Sequence, residues 1–80
     1  MEETIRGVLA DYAKLPVEVN GIADDADLYA LGLTSHASVN VMLGLEDEFD
    51  VEFPDALLRK ETFQSVASIA DALRGLVNAA

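Results

Sequence analysis

The chain has 80 residues, a length that predicts a single domain over residues 1–80. It has no cysteine, which excludes disulfides and cysteine-ligated metal. Fifteen acidic and five basic side chains give a net charge of −10, which disfavours nucleic acid and anionic lipid because phosphates would be repelled. Apolar residues form 51% of the chain, too many for a disordered acidic tail. No apolar run is long enough for a membrane span or a secretion signal, so we expect a cytoplasmic monomer with protein partners.

The negative charge is concentrated in the middle of the chain. No Lys or Arg occurs between Lys14 and Arg59, and this interval holds ten of the fifteen acidic residues. Such a field fits either a solvated acidic surface or a docking face for basic proteins. Charge alone leaves both interpretations open.

The first third of the chain predicts one helix and a loop. Apolar residues recur every three or four positions over residues 2–15, which indicates an amphipathic helix that ends before Pro16. Asp24 or Asp25 is the predicted cap of a short helical piece that continues through Tyr29.

A second helix is predicted over residues 34–49, with Thr34 as its N-cap. At about 100° per residue, one arc of this helix is the predicted core face. That face carries Ser38, Val41, Met42, Leu45 and Phe49. The opposite side carries His36, Asn40, Gly44 and Asp47. Val39 and Leu43 lie between the two faces, on a stripe that begins at Ser35.

The remaining segments complete an all-α prediction. The strand-like alternation at residues 50–54 is too short for a sheet and has no partner strand. Residues 54–58 are predicted to form a short helix. Thr62 is the predicted cap of a last helix, whose apolar stripe reaches Val77 and whose fraying end is Gly75 with the alanine-rich tail. We therefore expect an all-α bundle of three main helices plus one or two short ones.

The polar residues predict no catalytic or metal site. His36 directly follows Ser35, so on a helix their side chains diverge by about 100° and cannot form a hydrolytic pair. Residues 25–36 fail as a calcium loop because the required glycine and final glutamate are absent. Ser35 is better placed, since the free N–H groups and positive dipole of a helix start favour an anion on its hydroxyl. A serine there is more often only a local hydrogen-bonding residue, and physics alone does not decide between the two.

A long motif resembles the acyl carrier protein family. There, a D-L-x-x-L-G-x loop leads to Asp-Ser-Leu, a helix ending in L-E-x-x-F, and a short I/V-x-I/F-P segment. This chain has Asp27-Leu28-Tyr29-Ala30-Leu31-Gly32-Leu33-Thr34-Ser35-His36, then Leu45-Glu46-Asp47-Glu48-Phe49, then Val51-Glu52-Phe53-Pro54. The similarity covers nearly the whole chain, including its length, acidity and helix order.

The resemblance implies a carrier rather than an enzyme. Ser35 would bear 4′-phosphopantetheine, which a phosphopantetheinyl transferase takes from coenzyme A. An acyl or aminoacyl group would ride on this arm as a thioester, charged by a loading ligase and passed to a downstream acceptor enzyme. By position, the implied partner-binding residues are Val39, Leu43, Glu46 and Asp47.

Two positions depart from the family motif. Thr34 stands where the family has Asp, and His36 stands where it has Leu. The resemblance implies that both positions contact partner proteins, but with side chains of different chemistry from those of the family. The Thr34-Ser35-His36 form looks like that of small stand-alone carriers found beside dedicated ligases, some of which are loaded with amino acids. Bulky side chains in the presumed core also disfavour burial of a long acyl chain: Met42, Phe49, Phe53 and Phe63. The alternative is an unmodified acidic helical adaptor that acts only by binding proteins.

Overall fold

Three α-helices form the framework of residues 1–78, the part of the chain described by the computed structural model. Helix α1 spans Glu2–Tyr12, α2 spans Ser35–Phe49 and α3 spans Val66–Asn78. Short 3-10 helices lie at Val19–Gly21, Asp55–Leu57 and Lys60–Phe63. No β-strand occurs within residues 1–78, and the all-α prediction is confirmed. Ala79 and Ala80, in the tail predicted to fray, lie outside the described residues.

The helices enclose one apolar core. Its largest fully buried side chains are Ile5, Leu9, Leu28, Val41, Leu45, Val66, Ile69 and Leu73. Each such side chain contributes about 1.5–3 kcal/mol by leaving water. The rings of Phe53 and Phe63 close one end of this core, with centroids 5.5 Å apart and planes tilted by 39°. None of the helices in the described part of the chain is long and apolar enough to cross a membrane.

Helix α1 ends one turn earlier than predicted. Its last helical residue is Tyr12, and Lys14 adopts a left-handed conformation with φ 53°, which redirects the chain before Pro16 is reached. The proline therefore follows a helix that has already ended.

Helix α3 begins at a different cap from the one predicted. Thr62 is buried inside a 3-10 helix and does not cap α3, so that prediction was wrong. Ser65 Oγ instead accepts a hydrogen bond from Ser68 N at 3.1 Å, and Ser68 Oγ accepts one from Ser65 N at 3.0 Å. This reciprocal pair satisfies two backbone donors at the helix start. Val77, predicted on the apolar stripe, is exposed, and Leu76 packs against the core instead.

The loop between α1 and α2 is anchored near its middle. Arg6 of α1 donates to the carboxylate of Asp24 at 2.6 Å. Asp24 O accepts from Ala67 N at 2.8 Å, and Leu28 N donates to Gln64 O at 2.7 Å. These bonds tie the loop to both α1 and the start of α3.

The short helical piece predicted from Asp24 or Asp25 through Tyr29 does not form. Neither Asp24 nor Asp25 acts as a cap. Instead, the carboxylate of Asp27 accepts hydrogen bonds from Tyr29 N at 3.0 Å and from Ala30 N at 3.4 Å. The result is a tight turn instead of a helix.

Gly44 lies in the contact between α1 and α2, although helical geometry predicted it on the side away from the core. It is buried, and a Cβ atom added there would lie 2.7 Å from the Tyr12 ring and 2.9 Å from Val8 Cγ1. Helix α1 covers the edge of α2 beside Val41, so the absence of a side chain allows the two helices to approach closely.

Candidate functional site

Ser35 is exposed in the first turn of α2, where three local features place it. Gly32, with φ 119°, turns the chain just before the helix, and a Cβ atom there would lie only 3.2 Å from Pro16 Cδ. Thr34 is extended, and its hydroxyl oxygen accepts a hydrogen bond from Ala37 N at 3.0 Å. The predicted N-cap is thus confirmed. The Ser35 hydroxyl is left free at the surface.

A groove of about 310 Å³ opens beside Ser35. One wall is α2, through Ser35, Ser38, Val39 and Met42, and the other is formed by Tyr29, Leu58, Arg59, Lys60 and Phe63. Ser38 was predicted on the core face, but it is only half-buried and lines this groove. Its hydroxyl donates to Ser35 O at 2.7 Å, which holds it against the backbone of the first turn.

The groove wall opposite α2 is cationic. Lys60 Nζ lies 5.0 Å from the centroid of the Tyr29 ring, within the range of a cation–π contact. Arg59 Nε lies 3.9 Å from the carboxylate of Glu61, and both side chains are exposed. The apolar and charge patterns of the sequence did not predict this wall. The sequence feature that could have indicated it is the pair Arg59-Lys60. These are the first basic side chains after the interval without Lys or Arg, and they directly follow the apolar Leu58.

Tyr29 is a neutral member of this wall. Burial raises the pKa of its hydroxyl above the usual value, and the charges of Asp27 and Glu61 act in the same direction. The neighbouring Ser38 hydroxyl acts on the pKa in the opposite direction. The phenol therefore stays protonated at neutral pH.

The residues predicted to bind partners are exposed at the start of α2 and along it, with one exception. Thr34, His36 and Asp47 are exposed. Val39 and Leu43 are each 52% exposed, so two large apolar side chains face solvent beside the serine. Isolated exposed apolar residues are common, but here two of them share one stripe of α2 with Ser35.

Glu46 is the exception, because it has a partner within the molecule. It is half-buried, and its carboxylate accepts a hydrogen bond from Phe53 N at 2.7 Å. This bond fastens the extended segment after α2 to the helix. The structure therefore gives Glu46 a role in the fold that the sequence did not indicate.

An exposed hydroxyl at a helix start, opening into a groove with apolar and cationic walls, suits a long phosphate-bearing group. The hydroxyl is accessible to a modifying enzyme, and Arg59 and Lys60 supply charge complementary to a phosphate. No cluster of three or more metal-ligating side chains occurs among residues 1–78.

The sequence matches a family described as "Phosphopantetheine attachment site" over residues 3–73. This chain belongs to that family. The carrier is 53% identical to an aminoacyl carrier protein from Agrobacterium fabrum over 74 residues, which cover 92% of this chain and 89% of that protein. It is 39% identical to aminoacyl carrier protein 1 from Bradyrhizobium diazoefficiens, covering 81% of this chain and 77% of that protein.

A solved structure extends the likeness to the fold. It contains an engineered Bradyrhizobium japonicum glycine:[carrier protein] ligase complexed with carrier protein from Agrobacterium tumefaciens and AMP. The matching chain has a TM-score of 0.90 and 53% identity, covering 92% of this carrier and 99% of that chain. The protein is thus a carrier whose cofactor is 4′-phosphopantetheine, and it is not an enzyme. When bound, the arm supplies the thiol that holds the cargo as a thioester. The family membership supports this function over that of an unmodified adaptor.

Proposed function

We propose that the carrier bears its 4′-phosphopantetheine arm on Ser35 and delivers an amino acid held on that arm. The observation that carries the attachment site is the free hydroxyl at the start of α2, capped by Thr34 and open to the groove. Ser38 is a poorer acceptor because its hydroxyl is engaged with Ser35 O.

An amino acid is the proposed cargo because of the proteins that this carrier resembles. The relatives at 53% and 39% identity are named aminoacyl carrier proteins. The similar solved structure pairs a carrier with a glycine:[carrier protein] ligase, which makes glycine the first amino acid to test. The groove also has two cationic side chains on one wall, an unfavourable place for a long apolar chain.

Three partners follow from this function: a phosphopantetheinyl transferase, a ligase that charges the arm with an amino acid, and an acceptor enzyme. We propose that they dock on the exposed face of α2 around Ser35, through Thr34, His36, Val39, Leu43 and Asp47. Glu46 contributes to the charge of this face while remaining bonded to Phe53. The charge of −10 favours protein partners with basic surfaces over nucleic acid or membranes. We expect the carrier to act as a monomer in the cytoplasm, where ATP is available to the loading ligase.

Mass spectrometry tests the attachment site. The wild type, Ser35→Ala and Ser38→Ala are each incubated with coenzyme A and a broad-range phosphopantetheinyl transferase, and intact masses are measured. The wild type and Ser38→Ala gain one phosphopantetheinyl group, and Ser35→Ala gains none. A wild type that gains no mass, or a Ser35→Ala variant that gains the same mass, contradicts the proposal.

The cargo is tested on the modified protein. The phosphopantetheinylated carrier is offered to a glycine:[carrier protein] ligase with ATP and individual amino acids, and thioester formation is measured by intact mass. We expect an aminoacyl mass that disappears on treatment with hydroxylamine. If none of the amino acids is loaded while a fatty acyl ligase charges the arm, the cargo proposal is wrong.

A further inference from the structure

The cationic wall of the groove contrasts with the charge of the rest of the molecule. The carrier has five basic side chains against fifteen acidic ones, yet two of the five, Arg59 and Lys60, line the groove that opens beside Ser35. Helix α2 contributes no Lys or Arg of its own, because the sequence has none between Lys14 and Arg59. The Lys and Arg side chains at this groove therefore come from one short segment.

We propose that Arg59 and Lys60 bind the phosphodiester of the arm carried by Ser35. The inference rests on the proposed attachment at Ser35. A phosphodiester carries one negative charge and two free oxygen atoms, and it joins the arm to the serine oxygen, so it remains at the Ser35 end of the groove. A guanidinium and an ammonium group are the side chains that pair best with such oxygens.

The existing contacts of the two cations leave them available. Arg59 approaches Glu61 only to 3.9 Å, and its side chain is 63% exposed, so this ion pair is weak and easily exchanged. Lys60 Nζ is held at 5.0 Å from the Tyr29 ring, a contact that uses the ring face and leaves the ammonium N–H donors free on its other sides. The carboxylates of Asp27 and Glu61 lie near Tyr29 and reduce the positive potential of this wall.

Binding of the phosphodiester would fix the near end of the arm against one wall and leave the thiol end free. The same two side chains would thus retain the near end of the arm without restricting the cargo.

The test compares unmodified and phosphopantetheinylated protein by NMR. The proteins are wild type, the double variant Arg59→Gln/Lys60→Gln, and Lys14→Gln, which removes one charge outside the groove. Intact mass first establishes that each protein carries one arm, and loss of that mass in Ser35→Ala locates it. Amide resonances of residues 58–61 and the ³¹P resonance of the arm are then recorded in about 0.01 M and about 1 M monovalent salt, which shortens the Debye length from about 30 Å to about 3 Å.

In the wild type and in Lys14→Gln, we expect the amides of residues 58–61 to shift when the arm is added, and the shift to shrink at high salt. In the double variant, we expect that shift to be lost and the ³¹P resonance to move to its position in free pantetheine phosphodiesters. Unchanged amides at 58–61 in wild type with the arm attached, or identical ³¹P resonances in wild type and double variant, would overturn this inference and leave the attachment at Ser35 intact. Failure of wild type to gain the arm would overturn both.

Discussion

At the scale of single residues, Gly44 is the position where one added methyl group would meet most resistance. A Cβ atom would lie within 3.0 Å of both Tyr12 and Val8, and Val8 is buried and stiff. Gly44→Ala is therefore expected to destabilise the fold by about 1–3 kcal/mol through overpacking, despite the better helix propensity of alanine. Thermal unfolding followed by circular dichroism measures the change.

Two other glycines provide matched controls for this prediction. Gly7 in α1 and Gly75 in α3 have nothing within 4 Å of an added Cβ atom. Gly7→Ala and Gly75→Ala should each raise stability by about 0.5–1 kcal/mol, because alanine loses less conformational freedom in a helix. If Gly44→Ala behaves like these controls, α1 and α2 are not as close as the structure indicates.

Glu46 is expected to act on stability as well as on docking. Glu46→Ala removes the hydrogen bond to Phe53 N and should cost about 1–2 kcal/mol, since hydrogen bonds to charged groups are among the stronger ones. Glu46→Gln keeps an acceptor oxygen and should recover part of this loss. Glu48, exposed on the same helix, is the control, and Glu48→Ala should change stability by less than about 0.5 kcal/mol. Urea unfolding compares the three, and equal midpoints for Glu46→Ala and Glu48→Ala would contradict the role.

At the scale of elements, α2 contributes to the core with one face, and its exposed face is the proposed docking face. Val39 and Leu43 are each 52% exposed, so Val39→Ala/Leu43→Ala should leave the unfolding temperature nearly unchanged. Loss of two apolar anchors at an interface should lower kcat/KM for arm transfer or aminoacylation by about tenfold or more. Val77→Ala is the control, because Val77 is similarly exposed but lies on α3. Equal kcat/KM values for the double variant and this control would show that partners dock elsewhere.

Local signals predicted α2 better than they predicted its neighbours. Thr34 before a helical apolar pattern correctly marked the start of α2, because capping depends only on the adjacent turn. The same rule failed at Thr62, since Ser65 offered a second hydroxyl cap three residues later and burial of Thr62 decided between them. Helix α1 ended early because of the left-handed Lys14, for which the sequence carried no signal.

The candidate site was predictable in part, because the positions of side chains around one helix depend only on the local sequence. A rotation of about 100° per residue predicted that Val39 and Leu43 lie on the stripe that begins at Ser35, off the core face, and both are exposed in the structure. The groove was not predictable, because Arg59 and Lys60 reach it from a segment more than 20 residues after Ser35, and only the folded chain brings them beside Tyr29. The contacts of Gly44 and Glu46 likewise depend on tertiary packing, which the period of one helix does not specify.

At the scale of the whole molecule, repulsion among acidic side chains is expected to limit stability. Of the ten acids between Lys14 and Arg59, Asp24 is paired with a base, Arg6. Arg74 contacts Glu2 and Asp71, outside that interval. Raising monovalent salt from about 0.01 M to about 1 M should therefore raise the melting temperature, because screening relieves more repulsion than attraction. A melting temperature that falls with salt would show that the ion pairs dominate.

The two walls of the groove beside Ser35 differ in mechanical character. One wall is α2, a 15-residue helix that packs closely against α1 at Gly44. The other wall includes the short 3-10 helix Lys60–Phe63. Hydrogen bonds in 3-10 turns have poorer geometry, and such segments open locally at lower free energy than core helices. The width of the groove is thus set by the softer wall. The carrier could loosen its hold on the arm by local opening there, at a cost well below that of global unfolding, while α2 presents an unchanged face to the next enzyme.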